Sequence, residues 1–388
     1  MMRMILFRLH WLLGLTAGLV LALVGVTGAL MSYEEAIIEW TDTDRAFVAV
    51  HDTVRLGPEA LLARLNTQRP GLKVNALTVS GDPERSPRAR FAADPRSGTR
   101  PPSVYLDPYD GRDLGEARLE PAFATIRDLH RWLLVPGEGK GWGRSITGAC
   151  AIALLVFLAT GLYLRWPKIH SWRIWLKPAL KRPGRPRWWS LHSIAGTWLL
   201  PVYAVIALSG LWWSYDWYKT AATYVLTGEA PRARPPRDRD RAASKAPLAL
   251  DKAWAAFNAS EGAGAHLAIV SLPGPDATVI RIRYLASASD QPKARDEMTF
   301  DAATGERLSM SRYADKPLGR LMADNMLEVH RGRFFGGFFA FLFFAASLSM
   351  PLLAVTGLVL YVLRRRALRR RAIAPAPRLA DVVQGLEA

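Results

Sequence analysis

Long apolar stretches alternate along this chain with long segments of mixed polarity. Four apolar runs, about 9–33, 144–165, 192–214 and 334–363, pass the length of roughly 20 residues that a membrane-spanning helix needs. The last is long enough to tilt. In the first intervening segment, "GPEALLARLNTQRPGLKVNALTVS" (57–80) has the spacing of a short amphipathic helix followed by a strand. "ARFAAD" and "SVYLDPYDGRDLG" then alternate as strands do and close on D-P-Y-D-G turn chemistry. In the second, "PLALDKAWAAFNASEG", "AHLAIVSL", "TVIRIRYLA" and "EMTFDAATGERLS" repeat that order. Each segment predicts one helix and about three antiparallel strands. "TGEAPRARPPRDRDRAASKAP" (227–247) is a Pro- and charge-rich linker.

The apolar runs repeat as well. His10 begins H-x-x-x-G at Gly14 and is followed eighteen residues on by Gly28, after Thr27. His192 begins H-x-x-x-G at Gly196 and is followed eighteen residues on by Gly210, after Ser209. Each outer segment ends on a His-Arg pair, His130-Arg131 or His330-Arg331, just before the next run, and runs two and four carry Thr160-Gly161 and Thr356-Gly357. The predicted fold is a membrane α-helical protein: a four-helix bundle with two extracytoplasmic α+β modules, internally duplicated.

Charge settles the orientation this fold implies. The chain holds 51 Lys and Arg against 34 Asp and Glu, a net +17, which could suggest a nucleic-acid partner. The excess sits elsewhere: Arg165, Lys168, Arg173, Lys177, Lys181, Arg182, Arg185 and Arg187 crowd the short loop between runs two and three, and "RRRALRRR" follows run four. The two long segments are nearly balanced. By the positive-inside rule both termini and the short loop are cytoplasmic and both long segments face outward. No nucleic-acid role is expected; the lipid bilayer is the partner. The expected divisions are helix 1–33, module 34–143, helix 144–165, basic loop 166–191, helix 192–214, linker and module 215–333, helix 334–363 and basic tail 364–388. "MMRMILFR" resembles a signal-peptide n-region, but the apolar stretch is too long and "VTGALMSYEE" cleaves poorly, so this helix is expected to stay.

The single cysteine, Cys150, excludes an internal disulfide, a CxxC site and a CxxCH haem attachment. The histidines carry the candidate chemistry. A lone His at the edge of an apolar run could snorkel to the interface, whereas an imidazole inside lipid needs a partner. His10 and His192 open outbound helices near the cytoplasmic face; His130 and His330 open inbound helices near the outer face. At a 1.5 Å rise, eighteen residues cover about 27 Å, which brings Gly28 and Gly210 level with the outer pair and Gly161 and Gly357 level with the inner. Two neutral imidazoles can ligate a haem iron from opposite faces, and glycines make room for a flat macrocycle. Two b-type haems, each held by two histidines, follow as one reading. Helix packing through small residues and His bonds is the other. Arg131 and Arg331 suit haem propionates or serve as interfacial anchors. Trp212, Trp213 and Trp217 form an aromatic belt or line an approach to the outer site, and Trp132, Trp142, Phe334 and Phe335 lie near that level. His51, His170 and His266 are expected at solvated positions. "GEGKGWGRS" lacks phosphate-loop spacing, and no flavin or nicotinamide fingerprint appears, so the reductant is another molecule.

At these residues the sequence resembles the PepSY-associated transmembrane family, which includes iron-regulated membrane proteins and ferric-siderophore reductases of Gram-negative inner membranes. "LHWLLGLTAGLVLALVGVTGAL", the "VYLDPYDG" and "TFDAATGE" turns and the two His-Arg entries carry the resemblance, over nearly the whole chain. It implies two haems b on His10, His192, His130 and His330, PepSY-like outer modules, and one-electron reduction of a periplasmic ferric siderophore for iron homeostasis. The electron donor would be a quinol or a cytoplasmic reductase. The same layout also admits a haem conduit to another periplasmic acceptor, or a non-redox anchor whose modules bind a protease or peptide.

Overall fold

The computed structural model describes residues 1–94, 98–166, 170–229, 248–273, 278–289 and 291–373; Lys168, the linker from 230 onward and the tail beyond 373 lie outside them. In chain order come α1 (Met2–Ser32), α2 (Glu34–Thr41), α3 (Pro58–Gln68), β1 (Val74–Ser80), β2 (Arg88–Phe91), β3 (Val104–Leu106), β4 (Asp113–Glu116), α4 (Glu120–Trp132) and α5 (Trp142–Arg165). The second half brings α6 (Arg185–Trp198), α7 (Leu200–Ser214), α8 (Leu250–Asn258), β5 (Leu267–Ser271), β6 (Val279–Leu285), β7 (Asp296–Asp301), β8 (Arg307–Ser311), α9 (Met326–His330) and α10 (Gly337–Ile373).

Among the described residues three helices are long and apolar enough to cross a membrane: Met2–Ser32, Trp142–Arg165 and Gly337–Arg370. Large apolar side chains point outward from them, among them Leu12 and Leu19 of α1 and Phe338, Phe341 and Leu348 of α10. An outward apolar surface of this extent suits hydrocarbon. The third expected helix is broken. α6 and α7 meet at 62° and make a fourth crossing only when taken together. Pro201 causes the break, because it has no N–H to continue the ladder and its ring collides with the carbonyl one turn back. A straight 27 Å rod from His192 to Gly210 therefore does not exist. At the far end α10 runs ten residues past the expected stop at 363 and absorbs the basic stretch, since arginine is a good helix former.

His130 and His330 do not open the inbound helices as expected. They sit in the last turns of α4 and α9, separate helices that precede α5 and α10. Leu133 and Leu134, with φ of 57° and 56°, end α4 and turn the chain into α5. α1 packs against α10 and α5, α7 against α5, and α6 against α10.

The two outer segments share one antiparallel sheet in the order β4-β3-β2-β1-β5-β6-β7-β8. Each half supplies four strands, where three were expected, because β4 ("DLGE") and β8 ("RLSMS") carry too little apolar pattern to be read. The halves join along β1 and β5, with Leu77 opposite Val270. α3 and α8 cover one face: Leu61 and Leu65 pack on Leu77, Ala89 and Leu106, and Phe257 packs on Val270, Ile282 and Phe300. The other face turns toward the helices, since Tyr105 packs with Met31, Ile38 and Phe123.

A charged layer ties α2 to α4, to the segment after α9 and to the β6–β7 connection. Glu34 pairs with Arg127 at 2.6 Å and Arg331 at 3.5 Å; Glu35 pairs with Arg333 at 3.1 Å and Lys293 at 3.7 Å. Burial raises the Glu35 pKa, but Lys293, Arg333 and Arg331 outweigh it and hold the carboxyl below its usual range.

Close backbone approach is what α1 and α10 require. A Cβ on Gly25 would stand 2.6 Å from Met350 Cβ and from the Ser347 carbonyl, whereas one on Gly18 meets nothing within 4 Å. Gly25→Ala is expected to cost about 1–3 kcal/mol by overpacking, and Gly18→Ala to be neutral or to gain the roughly 0.5–1 kcal/mol of helix propensity. Thermal unfolding of both variants in one detergent checks the contrast.

Candidate functional site

The four histidines come together as two cross-half pairs. The rings of His10 (α1) and His192 (α6) have centroids 6.1 Å apart, and those of His130 (α4) and His330 (α9) 6.4 Å apart. All four rings are half-buried.

Each imidazole rests on a hydroxyl-glycine pair of a neighbouring helix. His10 Nδ1 lies 2.8 Å from Thr160 Oγ1, His192 Nδ1 2.9 Å from Thr356 Oγ1, and His330 Nδ1 2.8 Å from Ser209 Oγ. His130 Nδ1 lies 3.1 Å from Thr27 Oγ1 and 3.0 Å from the Val24 carbonyl. The hydroxyl protons are already committed to carbonyls one turn back: Thr160 to Val156 at 2.7 Å, Thr356 to Leu352 at 2.7 Å, Thr27 to Leu23 at 2.9 Å and Ser209 to Val205 at 2.5 Å. Each hydroxyl oxygen therefore accepts, and each Nδ1 donates. The network assigns one tautomer to all four rings, with the proton on Nδ1 and the lone pair on Nε2.

The adjoining glycines give the rings their room. A Cβ on Gly161 would lie 3.4 Å from His10 Cε1, on Gly357 3.5 Å from His192 Cε1, on Gly210 3.4 Å from His330 Cε1, and on Gly28 3.1 Å from His130 Cε1. The observed neighbour of each glycine is thus an imidazole edge. Every histidine is held by its own half of the chain, and every pair spans the two halves.

The surroundings are aromatic and basic. Phe157 stands edge-on to His10 at 5.3 Å and Trp213 to His330 at 5.6 Å. Trp212 is buried against Met326 and Val329, while Trp217 is exposed. The Arg131 guanidinium lies 4.1 Å over the Trp132 ring, and burial beside Arg127 lowers its pKa. Arg331 is held on Glu34, and burial, then Arg333, lowers its pKa. Trp132 donates to Asp128, Trp142 and Phe335 are exposed, and the Phe334 carbonyl accepts from Gln291. His51 packs on Tyr109, His170 stacks on Trp175, and the His266 carbonyl accepts from Gly81, all away from the two pairs. Cys150 is buried in the bundle core.

The four hydroxyls are the functional groups that spacing alone left without a role. Their signal was in plain view, a Ser or Thr directly before each of the four glycines.

Could such a pair hold a metal? Two imidazoles that share one ion through ring nitrogens have centres roughly 6 Å apart, two bonds of about 2.0–2.1 Å plus the distance from each nitrogen to its ring centre. Both pairs have that separation. Among the described residues no three His, Cys, Asp or Glu converge on a point, so a bare ion would have only two protein ligands. A macrocycle that brings its own equatorial nitrogens needs only two. The donor set fits haem iron and does not fit a free zinc or di-iron centre.

A comparison with curated proteins returns no match. The family model described as the PepSY-associated TM region matches residues 7–364. That match takes in both histidine pairs, the shared sheet and most of each candidate span, and so this chain belongs to the PepSY-associated transmembrane family of membrane proteins.

Proposed function

We propose that this chain is an inner-membrane di-haem b protein that carries electrons outward and reduces a periplasmic ferric siderophore. The observation that carries the reading is the pair of two-imidazole sites, each with its Nδ1 atoms tied down and, among the described residues, no hydrogen bond at Nε2. Haem bound at each pair would supply one-electron transfer across the bilayer; His10 and His192 would hold the inner group and His130 and His330 the outer.

The chain's own residues do the rest. Hydrogen-bonded Nδ1–H groups fix ring orientation and make Nε2 more basic, as outer-sphere partners of metal-bound histidines do. Arg131 and Arg331 lie beside the outer pair and suit carboxylate groups of the macrocycle. The bent pair α6–α7 counts as one crossing, giving four spans, and the two halves are repeats of one unit. Basic side chains gather at the end that carries His10 and His192. Arg3 donates to the Leu164 carbonyl at 3.0 Å, and Arg364 lies 4.3 Å over the Phe7 ring. By the positive-inside rule that end is cytoplasmic, so His130, His330 and the sheet face outward.

Reduction suits the substrate. The hard oxygen donors of a siderophore hold Fe(III) far better than Fe(II), so one electron loosens the complex and releases iron. The donor is a quinol or a cytoplasmic reductase.

The two sites are expected to separate genetically. His130→Ala or His330→Ala removes the outer haem and spares the inner; His10→Ala or His192→Ala does the reverse. Difference spectra of purified variants check this, and loss of the same haem from His10→Ala and His130→Ala would refute the pairing.

Chemically reduced protein is expected to be reoxidised by a ferric siderophore, with Fe(II) caught by a ferrous chelator. Variants lacking the outer haem lose this reaction, because the inner site lies across most of a core about 30 Å thick. Stopped-flow absorbance reads the rate. Wild-type rates in the outer-site variants, or no reaction with any ferric siderophore, would leave only a conduit to some other acceptor.

A further inference from the structure

The sheet face turned toward the helices has a pattern that the reading above does not use. Register places Arg88 of β2, Thr78 of β1, Ile269 of β5 and Arg283 of β6 in one row, and Arg90, Ala76, Ser271 and Arg281 in the next. Small and medium side chains thus line the seam between the halves, and two arginines flank it on either side. Three strand spacings of about 4.8 Å separate the flanking rows, which long guanidinium side chains can bridge. Arg295 directly precedes β7 and lies within electrostatic reach of Arg283.

Arg90 donates to the Asn75 side chain at 3.2 Å. Arg88 pairs with Glu120 at 2.6 Å and Arg281 with Glu297 at 3.2 Å. Among the described residues Arg283 and Arg295 make no ion pair, and the Nε–H of each is buried without an acceptor. Both side chains are half-buried, and a buried polar atom left without a partner is uncommon and costly. Neighbouring charges add to the strain. Burial and then Arg283 bring the Arg295 pKa down to about 10, and burial, Arg100 and Arg283 lower that of Arg90. Guanidinium forks match carboxylates two bonds at a time.

We infer that this arginine-flanked trough, with Arg283 and Arg295 on its β6–β7 flank, binds the carboxylate groups of an anionic ferric chelate. The inference rests on the reading of the chain as an outward-facing reductase and narrows its substrate from ferric siderophores at large to polycarboxylate complexes of net negative charge. The trough faces the end of the bundle that bears His130 and His330, because Arg295 lies within electrostatic reach of Glu35, Glu328 and Arg333.

The test uses the full chain and gallium(III) citrate, an anionic complex that takes no electron under these conditions, so binding is read by calorimetry without turnover. Wild type is expected to bind it, more weakly as ionic strength rises, and to bind the gallium complex of a cationic trihydroxamate at least tenfold less well. Arg283→Gln and Arg295→Gln are each expected to weaken citrate-complex binding about ten- to a hundredfold, the loss of one charge-assisted hydrogen bond, with the visible spectrum unchanged. Arg283→Lys keeps part of the affinity. Equal binding of both gallium complexes by wild type overturns the inference without any variant. Wild-type affinity in the double variant overturns it too, as does displacement of the citrate complex by phosphatidylglycerol in nanodiscs, which would assign the trough to lipid headgroups. A chain that binds gallium citrate but holds no haem keeps the trough and loses the reductase reading. A haem protein that reduces cationic chelates as well as anionic ones does the opposite.

Discussion

The di-haem reading of this molecule depends on one repeated hydrogen bond, from an imidazole Nδ1–H to a helix hydroxyl whose own proton is spent on its backbone. A free serine or threonine hydroxyl could donate or accept, and a free imidazole could carry its proton on either nitrogen. The carbonyl one turn back removes both ambiguities. Thr160 donates to Val156 and so can only accept from His10; the same holds at Thr356, Thr27 and Ser209. The glycine that follows each hydroxyl lets the ring lie close enough to make the bond. With the tautomer fixed, the remaining nitrogen is available as a ligand in every case.

This constraint explains the architecture around it. Each socket lies within one half of the chain, but each imidazole pair needs a ring from both halves. The halves must therefore meet twice, once among the helices and once in the sheet, where β1 and β5 pair. Gly25 draws α1 against α10, and the Glu34 and Glu35 pairs tie α2 to Arg127, Arg331, Arg333 and Lys293. A shift of one helical register at any of these contacts would move a hydroxyl-glycine pair away from its imidazole.

Much of the site was legible because its signals are local. Ser or Thr, then Gly, stands at a constant offset from His10 and His192, and apolar length marks the spans. What was not legible depends on distant or subtle contacts. The β1–β5 seam joins residues almost two hundred positions apart, and nothing in either strand announces its partner. The short, polar β4 and β8 take their conformation from the neighbouring strand and not from their own pattern. The end of α4 is set by two left-handed leucines, a conformation leucine does not advertise. The bend before Pro201 was readable from the proline, yet the apolar run around it reads as one continuous span. The unpaired state of Arg283 and Arg295 emerges only once strand register fixes which carboxylates they can reach.

The central claim is that two imidazole pairs of this geometry exist to hold two haems. The most direct measurement is the haem content of protein purified from haem-replete cells, by pyridine haemochrome and a reduced-minus-oxidised spectrum. The account predicts a red protein with non-covalent haem b close to two per chain, both centres six-coordinate with nitrogen ligands. A colourless protein, or haem that persists unchanged when all four histidines are replaced by alanine, would contradict it and leave a membrane anchor whose histidines only join helix to helix.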